Sequence, residues 1–293
     1  MTILVTGGAG QLASALRAYP GMRVIGRPTC DFDRPETLVP ALEAAAPSLV
    51  VNAAAYTAVD AAETDADAAF RANRDGPAAL AAWCAAAGVP LIHISTDYVF
   101  DGGKGAPYLE TDATAPLGVY GASKLAGERA VAASGARAVI LRTSWVYAPA
   151  GRNFMLTMLG AAARRPVLRV VADQIGCPTT ALDLAAAVAA VADRIAAGWR
   201  ADYAGVTHAA GSGFASWHGF ATAIFAAAAR HGAPVPQVDA IATADWPTPV
   251  RRPADSRLDC TRLRDVFGVT LPDWRDGLRL TVDLWAAHAQ SSG

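Results

Sequence analysis

No segment of this 293-residue chain is both apolar and long enough to span a bilayer: even the alanine-rich run from Leu184 to Ala192 ends after nine residues at Asp193, against the roughly 20 that a membrane helix needs. Cysteine is scarce. The four present, Cys30, Cys84, Cys177 and Cys260, lack the close-pair spacing of zinc ligands, so they read as reduced core thiols. Charged residues make up only 17% of the chain, with a formal net charge of -1 and no block of one sign. That leaves no basic field to hold nucleic acid. No basic leader or cleavage site precedes Met1-Thr2-Ile3-Leu4-Val5, so this start reads as a strand, and the chain is expected to be cytoplasmic, without membrane or nucleic-acid partners. Internal repeats, low-complexity tails and an obvious linker are also missing.

What remains is a chain that is 53% hydrophobic and long enough to bury a large core, as one large domain or two smaller ones. Short β-rich runs alternate with alanine-rich helical stretches: Ile3-Leu4-Val5, Arg23-Val24-Ile25, Leu49-Val50-Val51, Leu91-Ile92-His93-Ile94 and Ala138-Val139-Ile140-Leu141. Nearly continuous apolar runs are what strands buried on both faces of a parallel sheet require, with the helices as crossovers. The pattern predicts an α/β fold, a doubly wound Rossmann-type parallel sheet. After about Tyr147 the regularity fades as Pro166, Pro178, Pro234, Pro236, Pro247, Pro249 and Pro253 cut the chain into short pieces. We therefore expect a dinucleotide-binding domain over 1–147, joined by about 180–212, and a smaller C-terminal α+β substrate-binding part over 148–179 and 213–293.

The first chemical signal is Thr6-Gly7-Gly8-Ala9-Gly10-Gln11-Leu12-Ala13, leaving the first strand and entering a helix. Gly7 and Gly10 permit a tight turn and close backbone approach, and Ala13 lets the helix pack on the sheet. The free N–H groups at the helix start, around Gln11 and Leu12, suit a pyrophosphate. After the second strand, where a dinucleotide fold usually places an acid for the ribose, stands Arg27. A base there, with no acid adjoining it in sequence, favours the 2′-phosphate of NADPH, with NADH possible. Asp31 and Phe32 follow and could frame the adenine.

Tyr120-Gly121-Ala122-Ser123-Lys124 supplies the second signal. Four-residue spacing puts phenol and ammonium on one helix face, where the cation would lower the phenol pKa toward the working range. The third is STDYVFDG over 95–102, directly after the fourth apolar run. Strand ends of a parallel sheet share one rim with the Gly-rich turn, so Ser95 and Thr96 are expected near the nicotinamide. A hydroxyl there would hold a substrate carbonyl while Tyr120 delivers a proton and the reduced cofactor a hydride.

Together these motifs make the chain resemble the extended short-chain dehydrogenase/reductases, and within them the dTDP-4-dehydrorhamnose reductases. The resemblance rests on GGAGQLA (7–13), VNAAAYTAVDAAE (51–63), STDYVFDG (95–102), YGASKLAGE (120–128), RTSWVY (142–147), Asn153-Phe154, DQIGCPT (173–179) and RPADSRL (252–258). It implies Tyr120 as proton donor, Lys124 as the residue that tunes it and holds the nicotinamide ribose, and Thr96 as the hydroxyl on the keto group. It also implies that Ala53, Ala54, Ala55 and Tyr56 lie along the cofactor, that Asp97, Tyr98 and Trp145 face the sugar, and that Asn153 and Arg257 lie toward the nucleotide diphosphate. The implied reaction reduces the C4 keto group of a nucleotide-linked 4-keto-6-deoxy sugar, dTDP-6-deoxy-L-lyxo-4-hexulose, to dTDP-L-rhamnose. A ketoreductase with another product, or a cofactor-binding regulatory subunit, are the alternatives. Some relatives form metal-bridged dimers through carboxylates, but the first helix, Leu12 to Ala18, carries no acid. No metal is expected, and the chain is taken as a monomer or homodimer.

Overall fold

The computed structural model describes residues 2–291. All five apolar runs form strands: β1 (Ile3–Thr6), β2 (Met22–Val24), β3 (Leu49–Asn52), β4 (Leu91–Thr96) and β5 (Ala138–Thr143). Every residue of β1, β3 and β5 is buried, the environment that continuous apolar strands need when helices cover both sheet faces. The covering helices in this half are α1 (Gln11–Leu16), α2 (Leu38–Ala45), α3 (Val59–Ala62), α4 (Ala66–Phe70), α5 (Gly76–Ala87) and α6 (Val119–Ala133).

Beyond β5 the elements shorten: β6 (Val146–Tyr147), α7 (Phe154–Ala162), β7 (Val167–Val171), β8 (Ile175–Gly176) and β9 (Thr179–Thr180). Then come α8 (Ala181–Ala197), β10 (Gly205–His208), β11 (Ala215–Ser216), α9 (Trp217–Ala229), β12 (Gln237–Ile241), α10 (Thr261–Phe267) and α11 (Trp274–Ser291). Strand β10 rejoins the main sheet, from within the 180–212 stretch expected to return to it. Its Gly-Val-Thr-His sequence carries too little apolar character to announce a strand by itself.

The main sheet has six parallel strands in the order β2-β1-β3-β4-β5-β10. Alternation along β1 sends Ile3 and Val5 to a core shared with Leu12, Leu16, Leu184, Val188 and Val191 of α1 and α8. Leu4 goes to the opposite core with Leu38, Leu42, Leu80 and Cys84 of α2 and α5. The strand order reverses between β1 and β3, and the crevice outside the carboxyl ends of the strands at such a point is the usual ligand position of open α/β sheets.

A third core gathers Met155, Leu159, Phe220, Phe225, Trp274 and Leu278 from α7, α9 and α11. Beside it lie the two-stranded pairs β7·β12, β8·β11 and β6·β9. Among the described residues no helix is long and apolar enough to cross a membrane. Cys30, Cys84 and Cys177 are buried and all four cysteines are free. Burial pushes the Cys30 thiol up to about 11 and the Cys84 thiol up to about 12, which makes them inert.

Candidate active site

At the switch point the Gly-rich turn meets the loop after β3 at contact distance. Gly7 has φ 110, and a Cβ there would stand 2.9 Å from the Ala53 carbonyl oxygen. Gly10 is the N-cap of α1 and brings no side-chain acceptor, so the first N–H groups of that helix face the crevice unclaimed by a cap. Gln11 turns its Oε1 to the Asn153 amide at 2.9 Å, and Leu12 is buried in the core, so only its backbone is available to a ligand.

The Ala53–Tyr56 loop is held at both ends by asparagines. Asn52 Oδ1 accepts the Ala54 N–H, while Asn73 accepts from the Tyr56 N–H at 2.9 Å and donates to the Tyr56 carbonyl at 3.0 Å. Asn73 lies on a π-type turn, Arg71–Asp75, and also donates to Ser123 Oγ of α6. One amide thus ties the cofactor loop to the helix carrying Tyr120. Nothing in its local sequence pattern announced this, because the π turn that aims it inward has no helical signature of its own.

At the end of β4, Thr96 is 6% exposed. Its hydroxyl donates to Asp97 Oδ1 at 3.0 Å and accepts the Tyr98 N–H, and it lies close enough to the Tyr120 phenol to oppose the rise in its pKa. Tyr98 packs edge-on against the Tyr120 ring, with centroids 5.8 Å apart. Thr96, Tyr98 and Tyr120 therefore converge as expected. Ser95 does not join them: successive strand residues face opposite ways, and its hydroxyl donates to Glu128 at 2.5 Å behind the rim. Glu128 also receives a bidentate pair from Arg142 at 2.8 and 2.7 Å. Both ions are nearly fully buried, at 4% and 3% exposure. Deeper still, Thr6, Asn52 and His93 form a chain across β1, β3 and β4, with Thr6 Oγ1 to Asn52 Oδ1 at 2.7 Å and Asn52 Nδ2 to His93 Nδ1 at 3.0 Å. Desolvation and the Lys124 charge hold His93 well below its usual pKa, so it is neutral.

Lys124 sits one turn from Tyr120 but faces elsewhere. Its Nζ donates to the Ile94 carbonyl at 2.6 Å. Burial brings the ammonium down to about 8, against the opposing pull of Glu128. The Tyr120 phenol is pushed up to about 12 by burial, with the Thr96 hydroxyl opposing and the Asp97 charge adding. Burial is thus the largest influence on the phenol, and one ammonium hydrogen goes to the Ile94 carbonyl.

The residues expected to face the sugar divide. Asp97 is 2% exposed, and its two oxygens accept from Thr96 and Ser144, so it lies behind the rim, where burial raises its pKa to about 6 against the hydrogen bonds of Ser256, Ser144 and Thr96. Trp145 is half-buried on the rim, two residues past Thr143, the register partner of Thr96. Its backbone lies in the left-handed region at φ 46. Its indole stacks on Trp217, a residue absent from the expected set, with centroids 3.4 Å apart and planes at 4°.

Asn153 caps α7 through the Leu156 N–H and donates to Gln11 and the Ala148 carbonyl. Both amide hydrogens are thereby used, which makes it a helix cap and bridge rather than a free diphosphate contact. Arg257 is clamped bidentately by Asp255 at 2.9 and 2.6 Å and reaches the Gly105 carbonyl.

The β2 edge departs most from expectation. Arg27 donates from Nε to Asp31 at 2.8 Å and pairs closely with Asp33, so two acids do adjoin it in space. The pairing engages Asp31 through Oδ1, which also accepts the Asp33 N–H. Phe32 is 6% exposed in the α2–α5 core, its ring filling the place a Cβ on Gly76 would need.

Among the described residues no cluster of His, Cys, Asp and Glu is arranged to hold a metal.

The profile of the RmlD substrate binding domain family matches residues 1–286. A dTDP-4-dehydrorhamnose reductase of Sinorhizobium fredii is 47% identical over 290 residues, covering 98% of this chain and 97% of its own. The Escherichia coli K12 protein of the same name is 43% identical over 251 residues, covering 85% and 83%. Among solved structures, the dTDP-4-dehydrorhamnose reductase of Bacillus anthracis in complex with NADP superposes with a TM-score of 0.87 at 31% identity, over 96% of this chain and 99% of that one. The family match over residues 1–286 and these identities along nearly the whole length place this chain in the RmlD family of dTDP-4-dehydrorhamnose reductases.

Proposed function

We propose that this chain is an NAD(P)H-dependent oxidoreductase that reduces the C4 keto group of dTDP-6-deoxy-L-lyxo-4-hexulose to dTDP-L-rhamnose. The observation that carries the reading is the convergence of Thr96, Tyr98 and Tyr120 at the carboxyl end of β4, in a chain with reductase relatives along nearly its full length. The crevice suits a dinucleotide: Gly7 leaves no room for a Cβ against Ala53, and the α1 N-cap leaves backbone donors for a pyrophosphate. NADPH, or NADH, supplies a hydride to the sugar C4 when bound there.

The chain's own residues handle the oxygen and the proton. When the sugar binds, the Thr96 hydroxyl turns its single hydrogen from Asp97 to the keto oxygen, and Tyr120 gives that oxygen the proton as negative charge develops. At pKa about 12 the phenol is fully protonated at neutral pH and holds its proton until the oxygen becomes strongly basic. Lys124, anchored at Ile94, keeps two N–H donors for ribose hydroxyls and places a positive charge behind the phenolate that forms. Tyr98 and Trp145 flank the sugar. Asp97 acts from behind by orienting Thr96. Arg257, fixed by Asp255, presents its remaining edge toward the nucleotide side. The substrate-binding part over 148–179 and 213–293 would bring Arg257 over the rim.

The test is to offer the purified protein a panel of nucleotide 4-keto sugars and follow NADPH absorbance. The reading expects turnover to be fastest with the dTDP-linked 4-keto-6-deoxy sugar. Faster use of another base or sugar would move the assignment to a different ketoreductase, and no turnover with any would favour a binding role.

A further inference from the structure

We propose that Trp217 is a specificity-determining residue for the sugar: it fixes the indole of Trp145 as the apolar wall of the sugar site. The inference rests on the reading of the rim given above. Trp145 holds a left-handed backbone, φ 46, a conformation that costs a bulky aromatic residue free energy and persists only where its surroundings enforce it. Those surroundings are visible. The residue before it, Ser144, is tied to Asp97 at 3.0 Å, and the Trp145 carbonyl accepts from the Thr179 N–H. The Cε2–Nε1 side of its ring abuts Gly176, where a Cβ would collide. The last constraint is Trp217, parallel to it at 4°.

Trp217 is itself placed from two directions. Strand β11 pairs with β8, setting Ser216 beside Ile175 and Ala215 beside Gly176, so the α9 start is registered against the segment touching Trp145. Phe154 packs on the far side of Trp217, with centroids 4.6 Å apart. Aromatic pairs prefer offset or edge-on contacts to a full face-to-face overlap, so a parallel pair at 3.4 Å reflects the frame that holds it. A 6-deoxy sugar, with a methyl where other hexoses carry a hydroxyl, is the ligand class that an apolar indole wall fits. Trp217 touches Trp145 rather than the reacting atoms, so it is a positioning residue.

Two parallel indoles in van der Waals contact should give an exciton couplet in circular dichroism, and this readout is independent of turnover. The wild type should show the couplet, and Trp217→Phe and Trp145→Phe should each lose it. Binding is then read with dTDP-L-rhamnose against dTDP. In Trp217→Ala the Kd for dTDP-L-rhamnose and the KM for the keto sugar should rise about 5- to 30-fold. The Kd for dTDP, the KM for NADPH and kcat should stay within about twofold, since the contact acts on ground-state sugar binding. Trp217→Phe should restore most of the sugar affinity. A circular dichroism spectrum left unchanged by both aromatic substitutions overturns the proposal, as does unchanged preference for dTDP-L-rhamnose over dTDP in Trp217→Ala. An equal fall in all parameters overturns it too, by making Trp217 a fold residue. If the wild type shows the couplet and binds dTDP-L-rhamnose but reduces no keto sugar, the reductase reading fails while the role of Trp217 is still decided by the binding ratio.

Discussion

The β4–α6 rim and the β2 edge lie on the same crevice, yet they specify their side chains in opposite ways. On the rim, Thr96, Asp97, Lys124, Glu128 and Arg142 are all at most 6% exposed, and each has a fixed partner. At the β2 edge the side chains of Arg27 and Asp33 are 67% and 41% exposed, and their pairing is screened by water. A desolvated polar group must be matched or be very costly, so the rim has one arrangement. An exposed arginine exchanges partners at little cost, and its role depends on what competes for it.

The largest effects are therefore expected on the rim. Tyr120→Phe keeps the ring and removes the proton, so kcat should fall by about 10²–10⁴ while NADPH affinity, measured by fluorescence titration, stays nearly constant. Near-normal turnover would remove Tyr120 from the mechanism. Glu128→Ala leaves Arg142 buried without its bidentate partner, which should lower unfolding free energy by about 3–5 kcal/mol in a urea titration. A loss as small as that of a surface pair would mean the enclosure is looser than the structure shows.

Next comes pH. Burial lowers Lys124 to about 8, so the ammonium is present below that pH and is lost as pH rises through it. If the charge supports the phenolate and holds the ribose, kcat/KM should be flat at neutral pH and fall by up to tenfold per unit above about 8. A flat profile to pH 10 would show that the charge contributes little.

The smallest effect belongs to the β2 edge. Because Asp31 and Asp33 already engage Arg27, Arg27→Ala should change the NADPH-to-NADH ratio of kcat/KM by less than about fivefold. Asp33→Ala frees the guanidinium and should raise the NADPH preference by about two- to fivefold. A collapse of the preference in Arg27→Ala would show that a 2′-phosphate displaces both acids, and would break the contrast between the two regions.

The sheet was legible in the sequence because strands buried on both faces must be largely apolar, and the runs of β1, β3, β4 and β5 met that rule, while the edge strand β2 carries exposed Arg23. Strand β10, Gly-Val-Thr-His, escaped it because a short edge strand needs little apolar content. Strand-end position and the family resemblance named Thr96, Tyr98 and Tyr120, which lie side by side in the structure. They did not separate Ser95 from Thr96, although strand alternation alone does so, nor sink Asp97 behind the rim, which takes the hydroxyl of Ser144 from the next strand. The acids beside Arg27 were not legible because they lie four and six residues onward and are brought back to it only by the turn. Trp217 gave no local signal, since its partner lies 72 residues earlier in the chain.

The central claim is that Tyr120 protonates the C4 oxygen while a hydride arrives at C4. It is tested most directly by giving the enzyme dTDP-6-deoxy-L-lyxo-4-hexulose with NADPH deuterated on the transferring face of the nicotinamide, and locating the label by mass spectrometry and NMR. The account predicts one deuterium at sugar C4 in dTDP-L-rhamnose per NADPH consumed, at a rate about 10²–10⁴ lower in Tyr120→Phe. Label at another carbon, NADPH loss without dTDP-L-rhamnose, or equal rates in the two proteins would contradict it.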